Sequence, residues 1–382
     1  MFLSSKTGVL EHMCTNIKEK TMKTELTFKI PFSGFCGTTF INCFSSTYLF
    51  LEDYVYKREE RKPCGSATCD DCGYCREDGA WFFLFDTMCG HSSLRFRFDG
   101  EPTAMQKMIC ETDFYDGGTD NNIDFLFGFA GYEYRKLTTP GEFKAAIITS
   151  IDAGKPVIAK VKTGNDRFRV ISGYDDDTLI CPDYTNAQRK PGKAPAYDEL
   201  DLLYVIGGKI EQRYTLIDGL NRIRQVMEYN ISENLWGGYT KKMGLYTTDS
   251  LSKCNIDEKK ARMKRVASAM WHTFNCHNFA EVFRKYLPFD SNHYKIYSAF
   301  DGMDKLRAFE FNALLDRISR RNGYTHDLAW ALIGLEECAD WTKHAAGYFG
   351  EMVELTLYRI AQNDAEVLEA IREIIRLLGV TS

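Results

Sequence analysis

Three short runs of apolar and β-branched residues, separated by polar turns, dominate the hydrophobic pattern between residues 154 and 184. The runs are Val157–Val161, Phe168–Ile171 and Leu179–Cys181. Residues 163–166 and 173–177, which separate them, are rich in Gly, Asn and Asp, residues that tolerate the backbone angles of tight turns. The pattern predicts three consecutive antiparallel strands that form a β-meander.

An amphipathic helix is predicted well before these strands. Apolar residues recur every three or four positions from Phe44 to Val55, which is the spacing of one buried helix face. Asn42 is a good N-cap residue, so we expect this helix to start at Cys43. Before it, apolar and polar residues alternate from residue 26 to residue 32 and predict a strand with one buried face.

Other segments have weaker patterns. The apolar run Trp81–Asp86 predicts a short strand, and residues 200–207 predict an edge strand. Thr139 and Pro140, followed by Glu142, predict a helix start with a capping box. From residue 215 onward the apolar spacing becomes helical, and we expect five or six helices up to the C-terminus.

A polar, cysteine-rich stretch interrupts the N-terminal half at residues 57–78. Its C-x-x-C spacings are typical of zinc knuckles, and four thiolates can close a structural tetrahedral site. Cys89 and His91 are alternative ligands, while reduced surface cysteines or an iron–sulfur cluster are the other interpretations. The sequence therefore predicts a structural zinc ion held by Cys64, Cys69, Cys72 and Cys75.

Composition excludes several classes of function. The net charge of −5 and the absence of a Lys/Arg stripe argue against nucleic acid as a partner. The apolar runs are shorter than a membrane helix requires, and residues 1–21 lack a signal-peptide pattern, so we expect no membrane partner and a cytoplasmic location. Thirteen cysteines, an odd number, favour thiols over a disulfide framework. No G-x-S-x-G, P-loop or dinucleotide motif is present, so no nucleotide cofactor is expected.

The segment GKPVIAKV, followed by RFRVISGYDDD, resembles the central sheet of papain-like cysteine peptidases that process bacteriocin leaders, and of the related butirosin-biosynthesis acyltransferases. In those families a strand that opens with the catalytic His runs into G-Y-D-D-D, and the next strand ends in an acidic residue. The resemblance implies an α+β fold with a papain-like domain and an antiparallel sheet over residues 26–214. We expect residues 1–25 to be an N-terminal extension, and the helical pattern predicts an all-α domain over 215–382. The resemblance also implies that Arg167 occupies the His position and that Asp183 is the acidic residue.

Two cysteines are candidates for the nucleophile that the resemblance implies. Cys36 stands in C-G-T-T, similar to the motif that opens the central helix in these families, and Cys43 begins C-F-S-S, similar to their small-residue spacing. The nucleophile belongs at a helix start because unpaired N–H groups and the helix dipole stabilise a thiolate and an oxyanion. Cys43 is favoured narrowly because Asn42 predicts the helix start there.

The base is the missing part of this site. Arg167 cannot accept a proton because its pKa exceeds 12, although its charge can lower the pKa of a nearby thiol. His277, next to Asn278, is the leading alternative base, with His91 and His272 as further candidates. Two functions remain open: a cysteine-dependent hydrolase or acyltransferase acting on a peptide, amide or thioester, and a non-catalytic papain-like protein that binds a small molecule, peptide or partner and carries a structural zinc insertion.

Overall fold

A computed structural model describes residues 23–28, 40–53, 77–93, 105, 121–162, 168–182, 194–233, 355, 359 and 362–376. The protein is a mixed α/β structure with antiparallel sheets. The strands are β1 (Lys23–Glu25), β2 (Tyr132–Leu137), β3 (Val157–Val161), β4 (Phe168–Ile171), β5 (Gly173–Asp175), β6 (Thr178–Ile180) and β7 (Leu200–Lys209). The helices are α1 (Phe40–Leu51), α2 (Glu77–Met88), α3 (Asn121–Ala130), α4 (Pro140–Asp152), α5 (Leu216–Ser232) and α6 (362–376), with short 3₁₀ helices at His91–Ser93 and Tyr197–Glu199.

The strands form two antiparallel sheets. One has the order β2-β7-β3-β4 and the other β1-β5-β6. The three predicted runs are strands, but the predicted meander is wrong, because only β3 and β4 pair with each other and β6 pairs with β5 in the second sheet. The chain passes from β4 to β5 through Ser172, whose N–H donates to Ile180 O at 2.8 Å.

Two further strand predictions are corrected. β7 is central, because β2 pairs along one of its edges and β3 along the other. The sequence of β2 is largely polar, and β2 was not recognised as a strand. It pairs along the edge of residues 200–207 that we expected to be exposed. Residues 26–28 of the strand predicted over 26–32 are not in a strand, and residues 29–32 lie outside the described residues. The strand found in this part of the chain is β1, which lies in the range assigned to the N-terminal extension and pairs with β5.

The helices predicted at α1 and α4 are confirmed, whereas the short strand predicted over Trp81–Asp86 is wrong, because these residues lie in the helix α2. Asn42 lies inside α1, so it is not the N-cap. Thr139 precedes α4 with Pro140 at its first position, but the Thr139 hydroxyl caps no N–H, so the capping box is not formed. The run from Trp81 is helical because α2 packs between α1 and α5, which buries apolar residues on several sides of it and removes the amphipathic period.

The four-stranded sheet carries one apolar layer on each face. Ile158 and Tyr204 belong to the layer that contains α1, α2, α3, α5 and α6, whereas Val157 and Leu203 belong to the layer of α4. Adjacent residues of one strand point to opposite faces, which produces this division. α5 and α6 therefore share the core of α1, and the domain boundary near residue 214 remains a prediction.

Candidate functional site

The start of α1 packs against the start of β4. The rings of Phe40 and Phe168 lie edge to face with centroids 5.5 Å apart, and both side chains are fully buried. Tyr204 of β7 lies 5.0 Å from Phe40, and Phe127 of α3 lies 6.2 Å from it, also edge to face. Such pairs stabilise beyond the area they bury and favour one mutual orientation. The aromatic contacts thus hold the first turn of α1 against the sheet beside the first residue of β4.

Cys43 lies in the core rather than at a helix start. It is the fourth residue of α1 and is 0% exposed. Its neighbour Phe44 packs edge to face on Phe85 and Phe127, at 5.0 and 4.9 Å. A substrate carbonyl cannot approach a thiol that is buried in this way, and three helical residues precede it. The structure therefore contradicts the expectation that Cys43 stands at a helix start, where free N–H groups could stabilise its thiolate.

Apart from Cys89 and His91, the remaining predicted site residues lie outside the described residues. Their mutual geometry stays a prediction for that reason. They are Cys36, Arg167, Asp183 and His277 among the catalytic candidates, and Cys64, Cys69, Cys72 and Cys75 among the metal ligands.

A second group of chemically able side chains surrounds the C-terminal end of α2. His91 Nδ1 lies 2.7 Å from Asp86 Oδ1, so the carboxylate accepts a hydrogen bond from the ring. The two residues are 6% and 2% exposed. Among the described residues, nothing donates to the second carboxylate oxygen of Asp86. The pair has the geometry of a base held by an orienting carboxylate, but it is enclosed by the core.

Cys89 lies between these two residues in the chain and is 0% exposed. Its thiol donates to the carbonyl oxygen of Asp86 at 3.4 Å and accepts from Asn122 Nδ2 at 3.2 Å and from the backbone N–H of His91. Burial, followed by the nearby negative charge of Asp86, raises the pKa of Cys89 to about 12, whereas His91 and Arg222 act in the opposite direction. The thiol is therefore neutral and is not an activated nucleophile.

Arg222 of α5 forms hydrogen bonds with several residues around Cys89. Its Nε donates to the carbonyl of Cys89 at 2.6 Å, and one terminal nitrogen donates to Asn121 Oδ1 at 2.7 Å and Asn122 Oδ1 at 3.1 Å. The guanidinium also lies 4.8 Å from the ring centroid of Phe125. Burial lowers the pKa of Arg222. The side chain joins α2, α3 and α5 through donors that only an arginine fork supplies.

Three members of this buried group were not identified from the sequence: Asp86, Asn122 and Arg222. A signal for Asp86 existed, because Asp86 and Cys89 stand three residues apart and share a face once the segment is recognised as a helix. The described residues contain no group of three His, Cys, Asp or Glu side chains placed to hold a metal ion. α2 starts two residues after Cys75 and is about 18 Å long. Cys89 and His91 thus follow the far end of α2, away from the entry of the cysteine-rich segment.

Comparison of the chain with protein-family models, with curated proteins and with solved structures finds no match. No helix within the described ranges is long and apolar enough to cross a membrane. The function must therefore be inferred from the residues of this chain.

Proposed function

We propose that the chain carries a papain-like domain and acts as a cysteine-dependent hydrolase or acyltransferase on a peptide, amide or thioester substrate. The contact between Phe40 and Phe168 carries the proposal. In the families that the sequence resembles, the nucleophilic Cys stands at the start of the central helix and the catalytic His at the start of a strand. The contact brings the start of α1 to the start of β4, which is the pairing that such a site requires.

Within this proposal Cys36 is the better nucleophile. Cys36 precedes Phe40 by four residues in the sequence, and Arg167 precedes Phe168 by one. Because Phe40 and Phe168 are in contact, these sequence positions support a site formed by Cys36 and Arg167. Cys43 lies deeper in α1 and is enclosed by the core. Because a nucleophile must reach the carbonyl carbon that it attacks, we assign the reaction to Cys36 and packing to Cys43.

Arg167 determines which acyl substrates this site can process. Its guanidinium keeps its positive charge at any working pH and favours a thiolate at Cys36, but it cannot receive or return a proton. A thiolate that attacks a thioester forms a new acyl-cysteine bond and expels a thiolate, which leaves without being protonated. An amide leaving group requires a proton, for which His277 is the candidate donor and Asp183 the orienting group. We therefore expect thioesters to react faster than amides.

A second candidate function is a non-catalytic papain-like binding protein with a structural zinc insertion. The complete burial of Cys43 and Cys89 favours it, because both thiols are core residues in this structure. In that case the site that the resemblance implies binds a small molecule, peptide or partner without chemistry. Zinc would then hold the insertion through Cys64, Cys69, Cys72 and Cys75.

The rate of iodoacetamide alkylation at each cysteine, measured against pH by peptide mass spectrometry on the native protein, separates the two functions. We expect Cys36 to react fast with a midpoint well below the roughly 8.5 of a free thiol, and Cys43 and Cys89 to react slowly. Arg167→Gln should move the Cys36 midpoint toward that of a free thiol, whereas Arg169→Gln, the matched control two residues on, should not. A Cys36 that reacts no faster than in the unfolded chain contradicts the enzyme and favours the binding protein.

A further inference from the structure

A cleft of about 570 Å³ lies between α4 and the strands β2 and β7. Leu137 and Val205, which line it, belong to the apolar layer of α4, whereas Phe168 and Tyr204 belong to the layer of α1. The cleft is thus on the face of the sheet opposite α1. Its volume falls in the range of small-molecule binding sites.

The cleft exists because one flank of α4 carries small side chains. Phe143, Ile147 and Ile151 hold α4 in the apolar layer beneath it. The flank that lines the cleft repeats small residues every four positions, namely Gly141, Ala145, Thr149 and Ala153. A Cβ added at Gly141 would meet no atom within 4 Å. Small side chains therefore leave the space between the helix and β2 open.

Two cations line this otherwise largely apolar space. Arg135 pairs with Val205 across β2 and β7, so its side chain shares the α4 face. Its guanidinium forms no hydrogen bond or ion pair with any residue in the described part of the chain. Lys155 Nζ donates to the carbonyl of Gly207 at 2.6 Å, which holds the ammonium in place and leaves other donors available. Among the described residues that line the cleft, Glu142 is the one acidic side chain.

We propose that this cleft binds an organic carboxylate. Arg135 and Lys155 bind the carboxylate group, and the hydrocarbon part lies along Leu137, Ala146 and Val205. The planar guanidinium matches a carboxylate with two parallel hydrogen bonds. The negative charge of Glu142 disfavours a ligand with two negative charges, so a monoanion fits better than a phosphate ester. This binding does not depend on any reaction at Cys36.

Isothermal titration with octanoate tests the proposal on the full chain. We expect one site per chain, and Arg135→Gln should weaken binding about tenfold, the effect of losing one charge-assisted contact. Lys136→Gln is the matched control, since it removes the same charge one residue away and Lys136 pairs with Tyr204 on the other face. Glu142→Gln should strengthen binding by removing the repulsion.

A filled cleft provides the second test. Ala145→Leu keeps a strong helix former at an exposed position of α4 and places three more carbons in the cleft. Circular dichroism and thermal melting should match those of the unsubstituted protein, while octanoate binding is lost. Retained octanoate affinity in this variant overturns the proposal. It is equally overturned if octyltrimethylammonium binds as tightly as octanoate, or if Arg135→Gln and Lys136→Gln have equal effects.

Discussion

His91 Nδ1 and Asp86 Oδ1 lie 2.7 Å apart at the end of α2, and both side chains are almost completely removed from solvent. A buried carboxylate is tolerated only while a donor compensates for its lost hydration. Arg222 and Asn122 connect the same group to α3 and α5 through Cys89. The end of α2 is therefore held by polar contacts inside an otherwise apolar layer.

Substitutions at Asp86 should separate the hydrogen bond from the packing. Asp86→Ala removes the acceptor and leaves a buried ring nitrogen without it, so we expect the free energy of unfolding to fall by about 3 kcal/mol. Asp86→Asn keeps an acceptor for the N–H of His91 and should lose about 1 kcal/mol. Urea denaturation measures both. Equal losses in the two variants would contradict a stabilising role for this hydrogen bond.

The strands were predictable where local pattern and tertiary environment agree. β3 and β4 carry β-branched runs between turn residues, and their antiparallel pairing was expected. The pairing of β5 with β1, and of β7 with β2, joins residues that are far apart in the chain. Local alternation does not contain that information, so the division into two sheets was not predictable.

The side-chain contacts of the buried group at the end of α2 were likewise not predictable from local sequence pattern. The apolar run from Trp81 to Phe85 has no helical period, because the helix is buried on several sides, and a short apolar run does not distinguish helix from strand. Cys89 and His91 were singled out as chemically able residues, but their contact with Asp86 follows from the helix. Arg222 comes from a segment 133 residues beyond Cys89, and no local pattern predicts that contact.

The raised pKa of Cys89 predicts an alkaline loss of stability. The folded thiol has a pKa of about 12, above the ordinary value of 9.0 that applies in the unfolded chain. The stabilisation that the protonated Cys89 thiol gives the folded protein is therefore complete below about pH 9. It is lost as the pH rises toward 12, because the unfolded chain releases this proton first. By about pH 10.5 the loss should reach about 2 kcal/mol.

Cys89→Ser removes this titration while keeping a donor and an acceptor for Asp86 and Asn122. Between about pH 8 and about pH 10.5 its free energy of unfolding should fall by about 2 kcal/mol less than that of the unsubstituted protein. Ile147→Val, a buried substitution without a titrating group, should follow the unsubstituted protein. Parallel curves for all three proteins would show that Cys89 titrates as an ordinary thiol.

Gly173 marks the closest approach of the two strands β1 and β5. A Cβ added there would contact the carbonyl oxygen of Thr24 and lie 2.9 Å from Glu25 Cα, both backbone atoms that cannot rotate away. Gly173→Ala should therefore separate the strands and lower the free energy of unfolding by about 2 kcal/mol. Gly141→Ala, where the added carbon meets nothing within 4 Å, is the control and should be neutral or slightly stabilising. A harmless Gly173→Ala would argue against the β1–β5 pairing.

The proposed zinc insertion predicts one zinc ion per chain after dialysis, measured by plasma mass spectrometry. Cys72→Ser should lose the metal because a closed four-thiolate site tolerates no missing ligand. Cys89→Ser should keep it, since the Cys89 thiol is occupied by Asn122 and follows the far end of α2. Metal loss in Cys89→Ser alone would indicate that the alternative ligands, Cys89 and His91, bind the zinc ion. A metal-free, fully folded protein would contradict the zinc proposal.

The contact between α1 and β4 should affect both the stability of the fold and the proposed reactivity of Cys36. Phe40→Leu keeps most of the buried volume but removes the edge-to-face contacts with Phe168 and Tyr204, so we expect a loss of about 1 to 2 kcal/mol. If the thiolate of Cys36 depends on its proximity to Arg167, the same variant should raise the alkylation midpoint of Cys36 toward that of a free thiol.

Phe129→Leu provides the control for general loosening of the core. Phe129 is fully buried and packs on Phe85 and Phe125, away from the contact between α1 and β4. It should lose a similar free energy of unfolding and leave the Cys36 midpoint unchanged, because the start of α1 keeps its contacts with β4. A midpoint that moves equally in both variants would mean that the reactivity of Cys36 follows overall stability rather than this contact. The contact between Phe40 and Phe168 would then no longer support a catalytic site.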